Sequence, residues 1–346
     1  MPMAWLHGYS GAQMKPSNRH PLLSVVIPTH QRTDLLPRAI ESALHSSPDG
    51  DVEVVVVPNG CDASWKSVAE QRDSDYRISW SPLKEGNASR ARNHGASLAK
   101  GKFIRFLDDD DYLLPAAERQ LVALHEANAD ISSAPMCNVS SKGIPGSTIE
   151  IPDSTDYLTA ALLAVRVSLS QGSIFSRRLI EQARWREDVI LYDDYLWMLE
   201  HAKSTDPAWM KYHEPVCAYV HHFNTRLSFT QRTPANSRHM VDAVLGLHAR
   251  LVIGKRLTEE RSHAIAVALL THAHSAFPAS PRYLASAIST ALEICAHAEP
   301  AQLLFENHEA LAKHVLFAEW TMLAPRLLSR SLRRLGWRLR GLLLQR

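Results

Sequence analysis

The chain has 346 residues, of which 45% are hydrophobic and 21% charged, and its formal net charge is +2. This composition excludes a disordered, collagen-like or disulfide-framework chain. Residues 321–346 contain seven Arg and no acid, so the remaining 31 Lys and Arg against 36 Asp and Glu give residues 1–320 a net charge of −5. A mildly acidic body with a basic tail argues against a body-wide nucleic-acid surface.

The cysteine pattern and the lengths of the apolar runs indicate the cellular compartment to expect. Four cysteines are scattered without CxxC or zinc-type Cys/His spacing, namely Cys61, Cys137, Cys217 and Cys295. This pattern predicts neither disulfides nor structural zinc and fits a reducing cytoplasm. Residues 1–20 carry no long apolar run before a small-residue cleavage site, so we expect no signal peptide. No stretch reaches the roughly 18 apolar residues of a membrane-spanning helix.

Short apolar runs alternate with helical patterns between residues 21 and 130. Buried strands are predicted where β-branched runs end in turn residues, and helices where apolar residues recur every three to four positions. The predicted strands are 23–27, 52–57, 77–80 and 102–107. The predicted helices are 34–46, 63–71, 87–99 and 115–127. This alternation predicts a mostly parallel sheet flanked by helices.

Beyond residue 131 the alternation loosens, and helical segments are predicted near 156–169, 177–185 and 193–203. After about residue 236 the composition shifts towards Ala, Leu and His, and helical periodicity predicts a bundle of about four or five helices. We therefore predict a loose lead-in, an α/β domain in two halves, and an all-helical region that ends in a basic helix. The lead-in would cover residues 1–20 and the α/β domain 21–230, with its halves at 21–130 and 131–230. The helical region would cover 231–346, and its basic terminal helix 321–346.

The strongest local signal is the acidic run Asp108–Asp111, directly after the predicted strand 102–107. At the carboxyl end of a parallel strand, it would open into the crevice where α/β sheets bind ligands. Adjacent carboxylates repel one another unless a cation neutralises them. Mg²⁺ or Mn²⁺ takes such oxygen ligands together with substrate phosphates. The alternative is a solvated turn whose last Asp caps the helix at Pro115.

Four segments occur in one order at plausible spacing: Ser24–Arg32 (SVVIPTHQR), Val54–Val57 (VVVV), Gly86–Gly95 (GNASRARNHG) and Gly101–Asp111 (GKFIRFLDDDD). In combination they resemble the family-2 glycosyltransferases, which have the GT-A fold, over about residues 22–225. The resemblance implies a GT-A nucleotide-diphospho-sugar transferase-like fold. Its first half would bind the nucleotide and its second half the acceptor.

The resemblance also implies the donor side of the site. Residues at strand ends and in the predicted helix 87–99 would bind the nucleotide sugar, namely Thr29, Arg32, Asn59, Arg92, Asn93, Asp108 and Asp109. Asp110 would ligate a Mn²⁺ or Mg²⁺ ion on the donor diphosphate, with Asp108 near the ribose or the metal. A divalent ion would stabilise the charge that develops on the nucleoside-diphosphate leaving group.

One departure from the family pattern affects the donor base. The family usually has Asp-Asp-Gly-Ser where this chain has Pro58–Cys61, and the second Asp commonly accepts a hydrogen bond from the uracil N–H. Asn59 could accept through its oxygen or donate through its nitrogen to another base. The expectation of a UDP-sugar is weakened accordingly, whereas Gly60 serves a tight turn in either case.

A second constellation, Trp185–Trp197, contains the start of a predicted helix, Tyr-Asp-Asp-Tyr-Leu-Trp. It resembles a family segment in which the Asp at the position of Asp194 is the general base, and Asp193 replaces the usual Glu. An acceptor hydroxyl must lose its proton as it attacks C1, and a base opposite the leaving group gives inversion. Asp193 is the alternative base and Glu187-Asp188 the competitor. Both Asp residues would also favour the positive end of a helix.

The segment Tyr219–Ser228 resembles the family's Y-R-x-H-x-x-x-x-S pattern and places His222 at the family's His, with His221 as the register alternative. Imidazole can donate to a phosphate oxygen or bind Mn²⁺. His222 is therefore a candidate ligand of the metal or the diphosphate, although a lone His is more often structural. Gln171–Ser173 would line the acceptor side.

The basic tail predicts an amphipathic helix, because leucines from 328 to 343 fall on one face and arginines from 330 to 340 lie across the opposite side. This pattern suits an interfacial helix on an anionic membrane. The alternative is that the Leu face docks on the helical bundle or on a second subunit, as in a homo-oligomer. A nucleic-acid partner is not expected.

These features together predict a metal-dependent, inverting glycosyltransferase. It would move a sugar from a nucleotide-diphosphate donor to a saccharide or lipid-linked saccharide hydroxyl. The setting implied by the family is bacterial capsule, exopolysaccharide or lipopolysaccharide synthesis, in the cytoplasm or at the inner face of the membrane. One rival is a nucleotidyltransferase, which normally shows a Gly-rich loop after the first strand, where Pro28–Thr33 has no Gly. The other is a non-catalytic GT-A module that binds a saccharide.

Overall fold

The computed structural model describes residues 20–164, 170–189, 191–221 and 234–343. The strands are β1 Leu23–Thr29, β2 Val52–Pro58, β3 Ile78–Trp80, β4 Phe103–Phe106, β5 Tyr112–Leu113, β6 Ile131–Ser133, β7 Met136–Ser140, β8 Pro145–Ile149, β9 Ser173–Ser176, β10 Trp209–Lys211 and β11 Cys217–His221. The helices are α1 Leu36–Leu44, α2 Trp65–Gln71, α3 Ala88–Leu98, α4 Ala116–Ala127, α5 Tyr157–Leu163, α6 Arg177–Ile180, α7 Asp193–Glu200, α8 Pro234–Ile253, α9 Glu259–Ala276, α10 Pro281–Ile294, α11 Leu303–Glu306, α12 Glu309–Lys313 and α13 Val315–Leu343.

Within the described residues, seven strands form the main sheet in the order β10-β6-β9-β4-β1-β2-β3. The pairings β1–β2, β1–β4 and β2–β3 are parallel, whereas β9 runs antiparallel to both of its neighbours. Every residue of β1 is buried, which is expected because helices cover both faces of a parallel sheet. The predicted mostly parallel α/β sheet is confirmed. A second sheet has the order β5-β11-β7-β8.

The predicted elements of the first half match the observed strands β1 to β4 and helices α1 to α4, with shifts of up to two residues at their ends. The second half was predicted less well. The prediction of a helix over 177–185 is wrong beyond its first turn, because α6 spans only four residues and follows the unpredicted strand β9. Strands such as β8, which has one hydrophobic residue and is mostly exposed, carry no alternation that could reveal them.

Helix α3 lies unusually close to the sheet because of Gly95. A Cβ atom added there would lie 2.4 Å from Cγ1 of Val26 in β1. At the amino end of the helix, Asn87 is the N-cap, and its side chain accepts a hydrogen bond of 2.9 Å from the Arg90 N–H. The close approach at Gly95 fixes the distance of α3 from the sheet, and the Asn87 cap fixes the residue at which α3 begins. Both therefore determine the position of Arg92, which lies on this helix.

An aromatic cluster joins the sheet to α7. Trp185 and Trp197 stack with ring centroids 4.3 Å apart, and both meet the Phe106 ring edge-on. Such contacts stabilise beyond simple burial. The loop that contains Trp185 and the start of α7 are therefore held against the end of β4.

The helical region is built around α9, whose residues are mostly buried. It is joined to the α/β domain by the buried Arg261, which forms ion pairs with Asp156 at 2.6 Å and Asp206 at 2.8 Å. The fully buried Glu319 of α13 forms an ion pair with Arg326 and a hydrogen bond with the His274 ring of α9. In the described part of the chain, no helix combines the length and apolar character needed to cross a membrane.

Candidate active site

The carboxyl ends of the parallel strands β1, β2 and β4 meet at one edge of the main sheet, as ligand sites of α/β sheets require. Thr29 ends β1, and Asn59 follows β2 directly. The backbone N–H and the side-chain amide of Asn59 both donate to the Thr29 carbonyl oxygen at 3.0 Å. The side-chain bond uses one of the two Nδ2 hydrogens, so the Asn59 amide can still offer Oδ1 as an acceptor and its second N–H as a donor to a ligand.

The loop between β1 and α1 is held in an unusual backbone conformation. Gln31 has φ of 55°, in the left-handed region. Its N–H donates to the Asp62 carboxylate at 2.7 Å, and the His30 ring bonds the Asn59 carbonyl oxygen through Nδ1, also at 2.7 Å. These contacts bind two neighbouring loops together and direct Arg32 towards the acidic run.

Three residues of the acidic run, Asp109, Asp110 and Asp111, are buried, and Asp108 is half-buried. Asp109 accepts the His30 N–H at 3.3 Å, and burial raises the pKa of Asp109 to about 7. Asp111 accepts the Val220 N–H at 2.8 Å and so ties the run to β11. Among the described residues, Asp108, Asp110 and Asp111 bring one carboxylate oxygen each within 4.8 Å of the others. Three converging carboxylates fit a hard divalent cation.

Arg92 connects the acidic run to α7. Its guanidinium donates to Asp108 at 2.7 Å and to Asp193 at 3.1 Å, and it lies over the Trp185 ring at 4.5 Å. Burial alone would lower the pKa of Arg92, but the charges of Asp108, Asp193 and Asp194 hold it above its ordinary value. Arg92 is therefore a fixed, desolvated positive charge between two groups of carboxylates.

Asn93 lies beside Arg92 on α3 but faces the loop before α7. Its amide nitrogen donates to the Trp185 carbonyl oxygen at 2.9 Å and to the Glu187 carboxylate at 3.0 Å. Its amide oxygen accepts the Trp185 N–H at 2.9 Å. The structure therefore places Asn93 as a loop support, and its contact with a nucleotide stays a prediction.

The two carboxylates that begin α7 have different surroundings. Asp193 accepts hydrogen bonds from Ser89 at 2.7 Å and from Arg92. Asp194 accepts the N–H of the next residue, Tyr195, at 2.7 Å. Asp193 is thus held in place by two side chains of α3, whereas the described bond of Asp194 comes from the backbone of its own helix.

The competing acids in the preceding loop are paired with arginines. Glu187 accepts from Arg90 at 2.8 Å and from Asn93, and these hydrogen bonds lower the pKa of Glu187. Asp188 pairs with Arg186, which likewise lowers the pKa of Asp188. Glu187 fastens the loop before α7 to α3, whereas Asp188 is exposed and forms its ion pair within that loop.

The remaining sequence-predicted residues are placed as follows. Gln171, expected on the acceptor side, donates to the Asp108 carboxylate and so lies beside the acidic run. His222 lies outside the described residues, and its metal contact stays a prediction. His221 lies at the end of β11 and bonds Asn138 at 2.7 Å. Sequence reasoning missed the Arg92–Asp193 pair, because nothing local signals a contact between residues so distant in the chain.

The chain resembles known proteins in sequence. Residues 24–181 match the family described as Glycosyl transferase family 2. The chain is 30% identical over 187 residues to the GalNAc(5)-diNAcBac-PP-undecaprenol beta-1,3-glucosyltransferase of Campylobacter jejuni, a match that covers 51% of this chain and 59% of that one. It is 25% identical over 195 residues to the poly(ribitol-phosphate) beta-glucosyltransferase of Bacillus spizizenii, covering 55% of this chain and 30% of that one. The matches thus span less than two thirds of these relatives.

A solved structure shares the fold. S. aureus TarS 1–349 in complex with UDP-GlcNAc superposes with a TM-score of 0.61 at 18% identity, covering 79% of this chain and 81% of that one. The predicted GT-A fold is confirmed by this likeness together with the sheet order.

Asn93→Asp tests the support of the loop before α7. A carboxylate would face the Trp185 carbonyl oxygen and the Glu187 carboxylate, where the amide now donates. We expect the free energy of unfolding in urea to fall by about 2–4 kcal/mol. The matched control is Asn87→Asp, which keeps the N-cap acceptor and loses one bond to the Glu187 carbonyl oxygen. It should cost about 1 kcal/mol or less, and equal losses in the two variants would contradict the assigned role of Asn93.

Proposed function

We propose that this chain, a member of glycosyl transferase family 2, transfers a sugar from a nucleotide-diphosphate donor to an acceptor hydroxyl with inversion. The observation that carries the proposal is the Arg92 bridge between Asp108 on the donor edge and Asp193 at the start of α7. The Arg92 guanidinium therefore has carboxylates suited to bind a cation on one side. On its other side it has carboxylates suited to act as a general base. Displacement at a sugar carbon needs both groups in one site.

The donor would lie along the ends of β1, β2 and β4. Thr29 and Asn59 would meet the base, and Asn59 could accept from a base N–H through Oδ1 or donate to another base through its second Nδ2 hydrogen. Arg92 and Asp108 would lie by the ribose and diphosphate. Asp108, Asp110 and Asp111 would hold a Mn²⁺ or Mg²⁺ ion, with His222 as a further proposed ligand. Such an ion supplies positive charge to the diphosphate as it leaves.

Asp194 is the proposed general base. Asp193 already accepts from Ser89 and Arg92, and these two bonds hold its carboxylate against α3. Asp194 is the next residue on the same first helical turn, at the position where the family pattern has its general base. Its carboxylate would accept the proton of the acceptor hydroxyl.

The acceptor would be a saccharide or lipid-linked saccharide of a bacterial surface polymer. The Campylobacter relative is named for an undecaprenol-diphosphate acceptor and the Bacillus relative for poly(ribitol-phosphate). These names support a carbohydrate or polymer acceptor for this chain. A lipid-linked acceptor would place the enzyme at the cytoplasmic face of the membrane.

Helix α13 provides a surface suited to that membrane. Val315, Ala318 and Glu319 of this helix are buried, and Arg326 forms an ion pair with Glu319. Phe317 is 70% exposed and Leu328 is 64% exposed, so apolar side chains face away from the bundle. Beyond these residues the sequence contains further leucines and arginines. An anionic lipid surface matches both the exposed apolar side chains and the positive charge.

Asp194→Asn tests the assignment of the base. We expect transfer from nucleotide sugars to octyl glycosides, with Mn²⁺ present, to fall about 100-fold or more. The thermal shift by UDP, GDP, CDP or dTDP with Mn²⁺ should persist, because the donor edge is unchanged. Asp193→Asn is the matched control and should retain more transfer activity than Asp194→Asn. Transfer by Asp194→Asn at the wild-type rate would refute the assignment.

The double substitution of Phe317 and Leu328 to Ser tests the membrane surface. Each exposed apolar side chain that enters the lipid interface contributes to binding, so we expect co-sedimentation with phosphatidylglycerol vesicles to weaken about tenfold. Ile144→Ser, which removes a side chain 62% exposed on the α/β domain, is the control. Unchanged vesicle binding would contradict the proposal. Loss of a dimer in the double variant would instead indicate that this face docks on a second subunit.

A further inference from the structure

Arg32 lies within the carboxylate group proposed to hold the metal. Its guanidinium forms an ion pair with the Asp110 side chain and approaches Asp109 to 3.5 Å. The Arg32 side chain is 34% exposed, whereas those of Asp109 and Asp110 are nearly buried. The positive charge therefore enters the acidic run from the open side of the cleft.

Asp108 and Asp111 of this group accept hydrogen bonds from other donors. Asp108 accepts from Arg92 and Gln171, and Asp111 accepts the Val220 N–H. Arg38 bonds the backbone oxygen of residue 110 at 2.9 Å rather than its carboxylate. Arg32 is thus the side chain that the described structure pairs with the Asp110 carboxylate.

The position of Arg32 is prepared by its loop. The left-handed conformation of Gln31 and its bond to Asp62 turn the chain so that the next residue faces the acidic run. Because the backbone at Gln31 is fixed in this way, the Arg32 guanidinium has one preferred position, beside Asp110. Because the tip of the side chain reaches solvent, it can still leave Asp110 by rotation about its own side-chain bonds.

A divalent ion on Asp110 would lie within a few ångströms of the Arg32 guanidinium. Two positive charges that close repel strongly in a half-buried site. Arginine cannot relieve the repulsion by losing its proton. The guanidinium must therefore leave when the ion enters, and its fork of donors suits a phosphate oxygen.

We propose that Arg32 is the resident counter-ion of Asp110, that a divalent metal displaces it, and that the released guanidinium then binds the donor diphosphate. This inference rests on the proposed donor site and adds an exchange of partners to it. The exchange has two consequences of opposite sign. Arg32 weakens the binding of metal alone, and it strengthens the binding of nucleoside diphosphate once metal is present.

The test is Arg32→Gln, measured on the full chain without turnover. Mn²⁺ binding in the absence of nucleotide, followed by electron paramagnetic resonance, should become about threefold to tenfold tighter. Binding of the best of UDP, GDP, CDP and dTDP at saturating Mn²⁺ should weaken by a similar factor. Arg119→Gln removes the same charge from an exposed pair with Glu214 and should change neither affinity. Circular dichroism of both variants without metal checks that they are folded.

Two results would overturn the exchange. The first is that Arg32→Gln binds Mn²⁺ no more tightly than the wild type, which includes the case in which neither binds it. The second is that nucleoside diphosphate binds the variant and the wild type equally. The transferase proposal is separable from both, because sugar transfer measured with EDTA or with Mn²⁺ succeeds or fails independently of these affinities.

Discussion

The buried guanidinium of Arg92 is the interaction on which the site depends. It satisfies one carboxylate that follows β4 and another that begins α7, and it lies flat on Trp185. Without that charge, Asp108 and Asp193 would be partly buried anions without their shared counter-ion, which is strongly unfavourable. One side chain therefore neutralises the carboxylates at the end of β4 and at the start of α7 together.

The rest of the fold keeps Arg92 in place. Gly95 lets α3 approach β1, and Asn93 fastens the loop before α7 through three hydrogen bonds. In that loop Trp185 stacks on Trp197 of α7. On the opposite flank, the paired loops after β1 and β2 deliver Arg32 to Asp110. The acidic run thus lies between two arginines with different freedom. Arg92 is enclosed, whereas Arg32 reaches solvent and can exchange its partner.

The sequence predicted the parallel half of the sheet well, because β1, β2 and β4 are short, mostly apolar segments. It also predicted the acidic run at a strand end. It could not predict that Asn93 supports a loop or that Gln171 reaches Asp108, since both depend on contacts across the fold. The short strands β6 and β8 lack periodicity. Phe317 faces outward because α13 turns Glu319 into the bundle instead. The local sequence pattern does not reveal which of these two side chains is buried.

The most direct test of the central claim is the identity of the phosphorus product. The full chain with Mn²⁺, a panel of nucleotide sugars and octyl glycosides should release a nucleoside diphosphate, detected by phosphorus NMR, in amounts equal to the glycosylated product. That stoichiometry is what sugar transfer from a nucleotide-diphosphate donor requires. Release of pyrophosphate from nucleoside triphosphates and sugar phosphates would indicate a nucleotidyltransferase instead. Saccharide binding without any turnover would indicate a non-catalytic module, and either result would contradict the proposed reaction.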